Sequence, residues 1–198
     1  MGAKFRSTVT VNDQTFDQIT QVDSLTNWIT TLALPKASTG TLSTRTSNTV
    51  GVLTLAAGHG IQNGDKIGLY NSGGWIANAN VTGVSTNLIS ITTITGGYTL
   101  PVLNSAIIAG KIVTTACVIS TDDVKAFSVA HTSSGRATIR NNTDELYNKI
   151  FATAGIFAWY TGADYASNLT SGENADTFEA STSSTTNDQT VRLAILRD

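Results

Sequence analysis

Charged residues are scarce in this sequence of 198 residues: they make up 13% of the chain, against about a quarter in an ordinary soluble domain. The formal net charge is −2, from 12 basic and 14 acidic residues that are scattered singly. Such a surface cannot present the dense positive field that a phosphate backbone requires, so we expect no nucleic-acid partner. Uncharged polar groups must cover most of the surface instead.

Cysteine is nearly absent as well, because Cys117 is the only one. A single thiol excludes an intrachain disulfide and a cysteine metal cluster. Its apolar surroundings, KIVTTACVIS, favour a small buried residue over a nucleophile. Long hydrophobic runs are also missing, since no segment approaches the ~20 residues of a membrane span, and the first residues lack the apolar region of a secretion signal. We therefore expect a soluble protein with no membrane partner.

Threonine is what the chain has in excess, with 33 residues. A β-branched residue with a hydroxyl group suits a half-exposed pleated surface better than a helix. Short apolar or alternating runs, separated by Gly, Asn and Ser, recur along the chain, and we assign thirteen strands to them. Their close spacing predicts barrels or sandwiches and disfavours a parallel sheet with crossover helices.

One segment has the signature of a helix. In NNTDELYNKIFATAG, Asn142 can cap the first turn, Glu145 can reach back as in a capping box, and Gly155 can end the helix. We therefore expect one short helix near 143–153, with a strand from Tyr147 onward as the alternative.

The stretch LTLAAGHGIQNGDKIGLY holds the most suggestive polar residues, because His59 lies between two glycines with Asp65 six positions later. A catalytic histidine needs a group with which to exchange a proton, and usually an orienting carboxylate. The chain must also turn here between two strands, and Gly58, Gly60 and Gly64 permit positive φ at the bends. We interpret these five residues as a structural corner in which the histidine bonds across the loop and the aspartate accepts backbone N–H groups. We expect no catalytic, cofactor-binding or metal-binding residue here.

Other candidate sites have simpler explanations. His131 is followed by Ser133 and Ser134, but the G-x-S-x-G elbow of many serine hydrolases is absent, and we favour a turn between strands. Asp122 and Asp123 lack the spacing of a calcium-binding loop, so a solvated loop is the better interpretation.

The aromatic and basic residues permit two surface hypotheses. Trp28, Trp75 and Trp159, together with the five tyrosines, could form a glycan platform, although they are dispersed and Trp159 lies in the apolar run GIFAWY, which predicts a core position. Arg136 and Arg140 are spaced to share one strand face, where they could pair with acidic groups of another subunit or remain solvated.

Between residues 50 and 115, an alternating strand runs into an H-G-x-x-x-G-D corner at His59–Asp65. A strand entering at Ile67, a V-T-x-V strand at Val81–Val84, a turn at Asn87 and a further apolar strand follow. This order resembles a small β-barrel repeat that is common in virion and tail proteins of tailed bacteriophages. The resemblance implies a structural building block and gives the histidine no catalytic role.

Pattern and resemblance together predict an all-β fold, mainly β with one short helix, made of a small β-barrel, a second β-sandwich-like part and an extended N-terminal arm. We predict that residues 1–48 form the arm and edge strands, and that residues 1–20 are ordered mainly by contact with another chain. Residues 49–119 are predicted to form the small β-barrel domain. Residues 120–198 are predicted to form a C-terminal β-rich domain, in which 161–189 is mostly surface loop.

The resemblance further implies a phage virion structural protein, located in the virion. We expect a capsid cement or decoration protein that bridges and stabilises neighbouring capsid subunits. A head-to-tail or tail structural component is the alternative, and a glycan-binding adhesion module is the alternative of another class. We expect no enzyme and no cofactor. The expected partners are other copies of the chain, in a homo-oligomer predicted to be a trimer, and the major capsid protein or other virion proteins.

Overall fold

The structure, a computed structural model, describes the following residues: 3–11, 14–22, 26–71, 74–94, 99–116, 124–131, 137–141, 148–151, 155–160 and 177–197. Within these ranges every regular element is a β-strand, and all paired strands are antiparallel. The prediction of an all-β fold with a small barrel and a further β part is confirmed.

The strands of the described ranges are β1 (Ala3–Val11), β2 (Gln14–Val22), β3 (Thr26–Leu34), β4 (Ser38–Arg45), β5 (Val50–Leu55), β6 (Lys66–Asn71), β7 (Gly74–Ser85), β8 (Leu88–Thr93), β9 (Ala106–Lys111), β10 (Val113–Ala116), β11 (Val124–His131), β12 (Ala137–Asn141), β13 (Asn148–Phe151), β14 (Gly155–Tyr160), β15 (Thr177–Thr182) and β16 (Gln189–Arg197).

Six strands close into a barrel in the order β4-β5-β8-β7-β6-β9, and β9 pairs back onto β4. Strand β4 comes from the first 48 residues and contributes the fully buried Leu42 to the barrel. Apolar side chains fill the interior, as expected for a barrel of so few strands. The buried cluster consists of Leu42, Leu53, Leu55, Ile61, Ile67, Leu69, Ala77, Ala79, Val81, Ile89, Ile91, Leu100, Ile107 and Ala109.

Two four-stranded sheets make up much of the rest, in the orders β14-β11-β16-β3 and β10-β15-β12-β13. Alternate residues on one face of the first sheet are buried, and they include Leu32, Leu34, Val129, Val191 and Leu193. The sheets meet where β3 lies near β10 and β15, and β15 also lies against β6 and β9 of the barrel. Strand β15 therefore connects the second sheet to both neighbours.

The chain passes from the barrel into the second sheet through a break at Ile112. Its N–H donates a hydrogen bond of 2.9 Å to the Lys66 carbonyl oxygen, and its side chain is buried. The sequence pattern predicts one continuous strand over residues 107–119, but β9 ends before this residue and β10 begins after it. A continuous apolar run cannot reveal that its two halves pair with different sheets.

The prediction of a helix near 143–153 is wrong over Asn148–Phe151, because these residues form β13 and pair with Ala137–Arg140 of β12. The rest of that prediction, residues 143–147 and 152–153, lies outside the described residues. Capping residues favour a helix only locally, whereas pairing with β12 provides non-local backbone hydrogen bonds. The alternative of a strand from Tyr147 onward agrees with β13 over its described residues.

The first two strands form a hairpin of their own. The register runs without a bulge from the pair Ala3–Val22 to the pair Val11–Gln14. Within the described part of the chain, β1 and β2 contact each other extensively and no other strand to a comparable degree. The polar N-terminal segment therefore forms a two-stranded ribbon of its own.

Candidate functional site

The loop between β5 and β6 contains the corner, and its backbone conformation explains the three glycines. Gly58, Gly60 and Gly64 have φ values of 77°, 67° and 88°, in the left-handed region that favours glycine. A Cβ atom added at any of the three would meet nothing within 4 Å. Conformation, and not crowding, therefore requires glycine at these bends.

His59 bridges this loop and the β7–β8 turn through both nitrogens of its ring. Nδ1 accepts a hydrogen bond of 3.0 Å from the N–H of Ile61, so Nε2 carries the proton and donates to the carbonyl oxygen of Thr86 at 2.9 Å. Thr86 itself has a positive φ of 51° at the tight turn. In this tautomer the imidazole links the backbone of the β5–β6 loop to that of the β7–β8 turn.

Asp65 binds the corner to two barrel strands, β7 and β9. Its Oδ2 accepts a hydrogen bond of 2.8 Å from the N–H of Gln62 and lies 2.9 Å from Nζ of Lys111 on β9. Its carbonyl oxygen accepts from the N–H of Val81 on β7 at 2.8 Å, and the N–H of Gly64 donates to the Val81 carbonyl oxygen at 3.0 Å. The carboxylate therefore organises the loop and the start of β6.

This geometry suits a structural corner better than a catalytic pair. Both ring nitrogens of His59 are bonded to backbone atoms, while Asp65 is bonded to a backbone N–H and an ammonium group. Proton transfer through the imidazole would require breaking one of the two loop contacts. The corner residues hold the β5–β6 loop, the β7–β8 turn and β9 together.

We predict that His59→Ala lowers the free energy of unfolding by about 1–2 kcal/mol, because it leaves the N–H of Ile61 and the carbonyl of Thr86 without their partner. Urea unfolding of the variant and the parent measures this change. Gln62→Ala is the matched control, because the exposed Gln62 takes part in the corner through its backbone. Equal stability of the two variants would contradict the bridging role.

A second polar cluster lies where β15 meets the barrel. Nζ of Lys66 on β6 is 3.0 Å from Oε1 of Glu179, whose side chain is 1% exposed against 37% for the lysine. The hydroxyl groups of Tyr70 and Ser181 are 2.5 Å apart and buried. Positions 179 and 181 of β15 thus face the barrel. The ion pair and the hydrogen bond at these two positions hold the second sheet against the barrel.

The second histidine is also part of a packed sheet. His131, on β11, is buried, and its Nε2 lies 3.0 Å from Oε1 of the buried Gln189 on β16. Ser133 and Ser134, the residues of the hydrolase hypothesis, lie outside the described residues. The described contacts of His131 join two neighbouring strands.

Several of the other candidates fall where little is described. Cys117, Asp122, Asp123 and Arg136 lie outside the described residues, and for Arg140 the structure describes the backbone. The same holds for the three tryptophans considered as a glycan platform: Trp28, Trp75 and Trp159.

Over the ranges that the structure describes, no group of three or more His, Cys, Asp or Glu residues is placed to hold a metal ion. None of the described residues belongs to a helix with the length and hydropathy needed to span a membrane.

Sequence reasoning did not identify the cluster at β15. Lys66 and Glu179 are 113 positions apart, and neither belongs to a recognisable motif. The run TFEAST places Glu179 on the strand face opposite Phe178 and Ala180, so the local pattern favours an exposed carboxylate and gives no indication of its burial.

Comparison with known proteins adds no family to these observations. No protein-family model matches the chain, and no curated protein is significantly similar to it.

Proposed function

We propose that the protein is a structural component of the virion of a tailed bacteriophage, and specifically a cement or decoration protein of the capsid. In this role its copies bridge neighbouring capsid subunits and add buried surface that resists internal pressure. Its partners are other copies of the chain, in a homo-oligomer for which a trimer is the state to test first, and the major capsid protein.

The observation that carries the proposal is the way in which the phage-like segment folds. The segment that resembles the phage repeat supplies five of the six strands of a closed barrel, β5 to β9, and its H-G-x-x-x-G-D corner forms hydrogen bonds within that barrel. Apolar side chains fill the barrel interior. A rigid block of this kind, carrying an open-edged ribbon, is suited to assembly by its outer surfaces.

Exposed apolar residues on the barrel support attachment through surface burial. Val102 is 74% exposed and Leu103 is 51% exposed, both in the loop between β8 and β9. Val84 and Leu88, at the β7–β8 turn, are also exposed. Apolar groups of this size at loop tips are available for burial against another protein.

Immunogold electron microscopy of intact virions from the source of this sequence tests the proposal. Label distributed over the whole head is expected for a cement or decoration protein. Label confined to the neck or tail would replace this role with that of a head-to-tail or tail component. If the virions remain unlabelled and the purified protein binds a surface polysaccharide, the protein is instead a glycan-binding adhesion module.

We predict that attachment to heads withstands high salt. With 13% charged residues, the surface provides few ion pairs, and at about 1 M salt the screening length falls to about 3 Å. Apolar burial is not screened, so the fraction of protein that sediments with heads should change less than about twofold between low and high salt. Release at moderate salt from heads that remain intact by microscopy would show that ion pairs hold the protein.

A further inference from the structure

The β1–β2 hairpin has two open edges in the described part of the chain. Each strand pairs with the other and with no third strand among the described ranges. An isolated two-stranded hairpin is marginally stable in water, and open edges present unpaired N–H and C=O groups to other strands. The ribbon is thus able to gain stability by pairing with a strand of another molecule.

The register of the hairpin separates apolar from charged positions. Residues directly opposite each other in an antiparallel pair share one face of the ribbon. One face collects Ala3, Phe5, Val9, Val11, Phe16 and Val22, together with four uncharged polar positions. The other face collects Lys4, Arg6 and Asp17 among polar positions and Ile19. The ribbon is amphipathic, with every charge on one face.

The two open edges carry charges of opposite sign. Strand β1 contributes Lys4 and Arg6, and strand β2 contributes Asp17. Pairing β1 with β1 of a second copy would bring cations together, and pairing β2 with β2 would bring aspartates together. Pairing β1 with β2 of a second copy places unlike charges side by side, so charge favours a head-to-tail contact.

The register of such a contact follows from the same charges. Within one hairpin, Arg6 lies opposite Ile19 and Asp17 lies opposite Thr8. A shift of two residues between copies preserves the faces and places Arg6 of one copy opposite Asp17 of the next. The same shift places Lys4 opposite Ile19 of the next copy, and the apolar positions remain on one common face.

We propose that β1 of one copy pairs antiparallel with β2 of the next copy in this shifted register, so that the N-terminal hairpin is a head-to-tail assembly contact. This contact rests on the proposed function, because that function makes a second copy of the chain the partner. A head-to-tail contact generates a ring when its rotation closes. Three hairpins joined in this way form a six-stranded closed sheet, in agreement with the trimer proposed above.

Disulfide trapping in the full-length chain tests the register. Two proteins, Lys4→Cys and Ile19→Cys, each also carrying Cys117→Ser, are purified separately and mixed under mild oxidation. Directly opposite residues have Cα atoms about 4.5–5.5 Å apart, within reach of a disulfide. We expect cross-linked pairs in the mixture and not in either protein alone. A mixture of Lys4→Cys with Gln21→Cys is the matched control, because it reports the unshifted register and should cross-link at least about tenfold less.

Charge reversal provides an independent measurement in the parent background. Arg6→Asp and Asp17→Arg should each weaken self-association by about tenfold or more, because each puts like charges opposite one another. The double variant should return to within about twofold of the parent, since it restores unlike charges. Sedimentation velocity over a range of concentrations measures this series.

Equal cross-linking in the two mixtures, no cross-linking, or charge variants that associate like the parent would overturn the hairpin contact. These failures are distinguishable from failure of the proposed function. Protein that labels virion heads without forming the cross-link leaves the virion role standing and removes the contact. Protein that forms the cross-link but labels no virion retains the contact and removes the role.

Discussion

Gly110→Ala is expected to lower the free energy of unfolding by about 2–3 kcal/mol, because a Cβ atom on β9 would collide with the backbone of β15. The added atom would overlap the carbonyl oxygen of Thr182 and lie 3.2 Å from its carbonyl carbon. A backbone carbonyl cannot move away by changing a rotamer, so the barrel and the second sheet must separate locally. Urea unfolding followed by circular dichroism measures the change.

Alanine variants of two other glycines are the references for this loss of stability. A Cβ atom on Gly83 would lie 3.7 Å from Cβ and Oγ of Ser90, an ordinary contact, so Gly83→Ala should leave stability within about 0.5 kcal/mol of the parent. A Cβ atom on Gly68 would lie 2.6 Å from Oγ of Ser181, a side-chain atom that can shift, so Gly68→Ala should fall between the other two. Equal stability of all three variants would mean that β15 does not approach β9 as closely as described.

Lys66→Met is expected to destabilise the protein by about 2–3 kcal/mol, because it removes the cation beside the buried carboxylate of Glu179. The value lies below the about 3–5 kcal/mol expected for a fully buried pair, since the lysine is itself 37% exposed. Lys36→Met is the matched control, because Lys36 is exposed and its described hydrogen bond, to Asp188, uses its backbone N–H. Denaturant unfolding of both variants gives the comparison.

A double-mutant cycle separates the ion pair from general effects of substitution. The variant Lys66→Met/Glu179→Gln removes both charges, so it should be more stable than the sum of the two single losses predicts. Coupling of about 1 kcal/mol or more is expected for residues in direct contact. Strictly additive losses would show that the pair does not fix the second sheet on the barrel.

The corner shows what local chemistry can reveal without a structure. Glycines at Gly58, Gly60 and Gly64 indicate positive φ because few other residues adopt it without strain, and the structure has all three in that region. Asp65, one residue before a strand, accepts the N–H of a residue three positions earlier, a contact that sequence spacing alone suggests. The acceptor for His59 could not be named, because Thr86 is 27 positions away.

The errors and omissions share one physical cause. The segment that became β13 carries local signals for a helix, but its strand forms through pairing with β12. The sequence pattern predicts no strand over the mostly polar run QTFDQITQV. This run forms β2 because it pairs with β1. In both segments, backbone pairing with another strand outweighed weak local preference.

The sequence by itself determined the fold class, the positions of most strands and the turn geometry at the corner, because these depend on alternation, β-branching and glycine within a few residues. Tertiary structure alone decided which strands close the barrel, where β9 gives way to β10 and how β15 docks. The contact between Lys66 and Glu179 joins positions 113 apart, and Gly110 is restricted by Thr182 of another sheet. Such contacts depend on chain packing in three dimensions, which no local pattern of residues specifies.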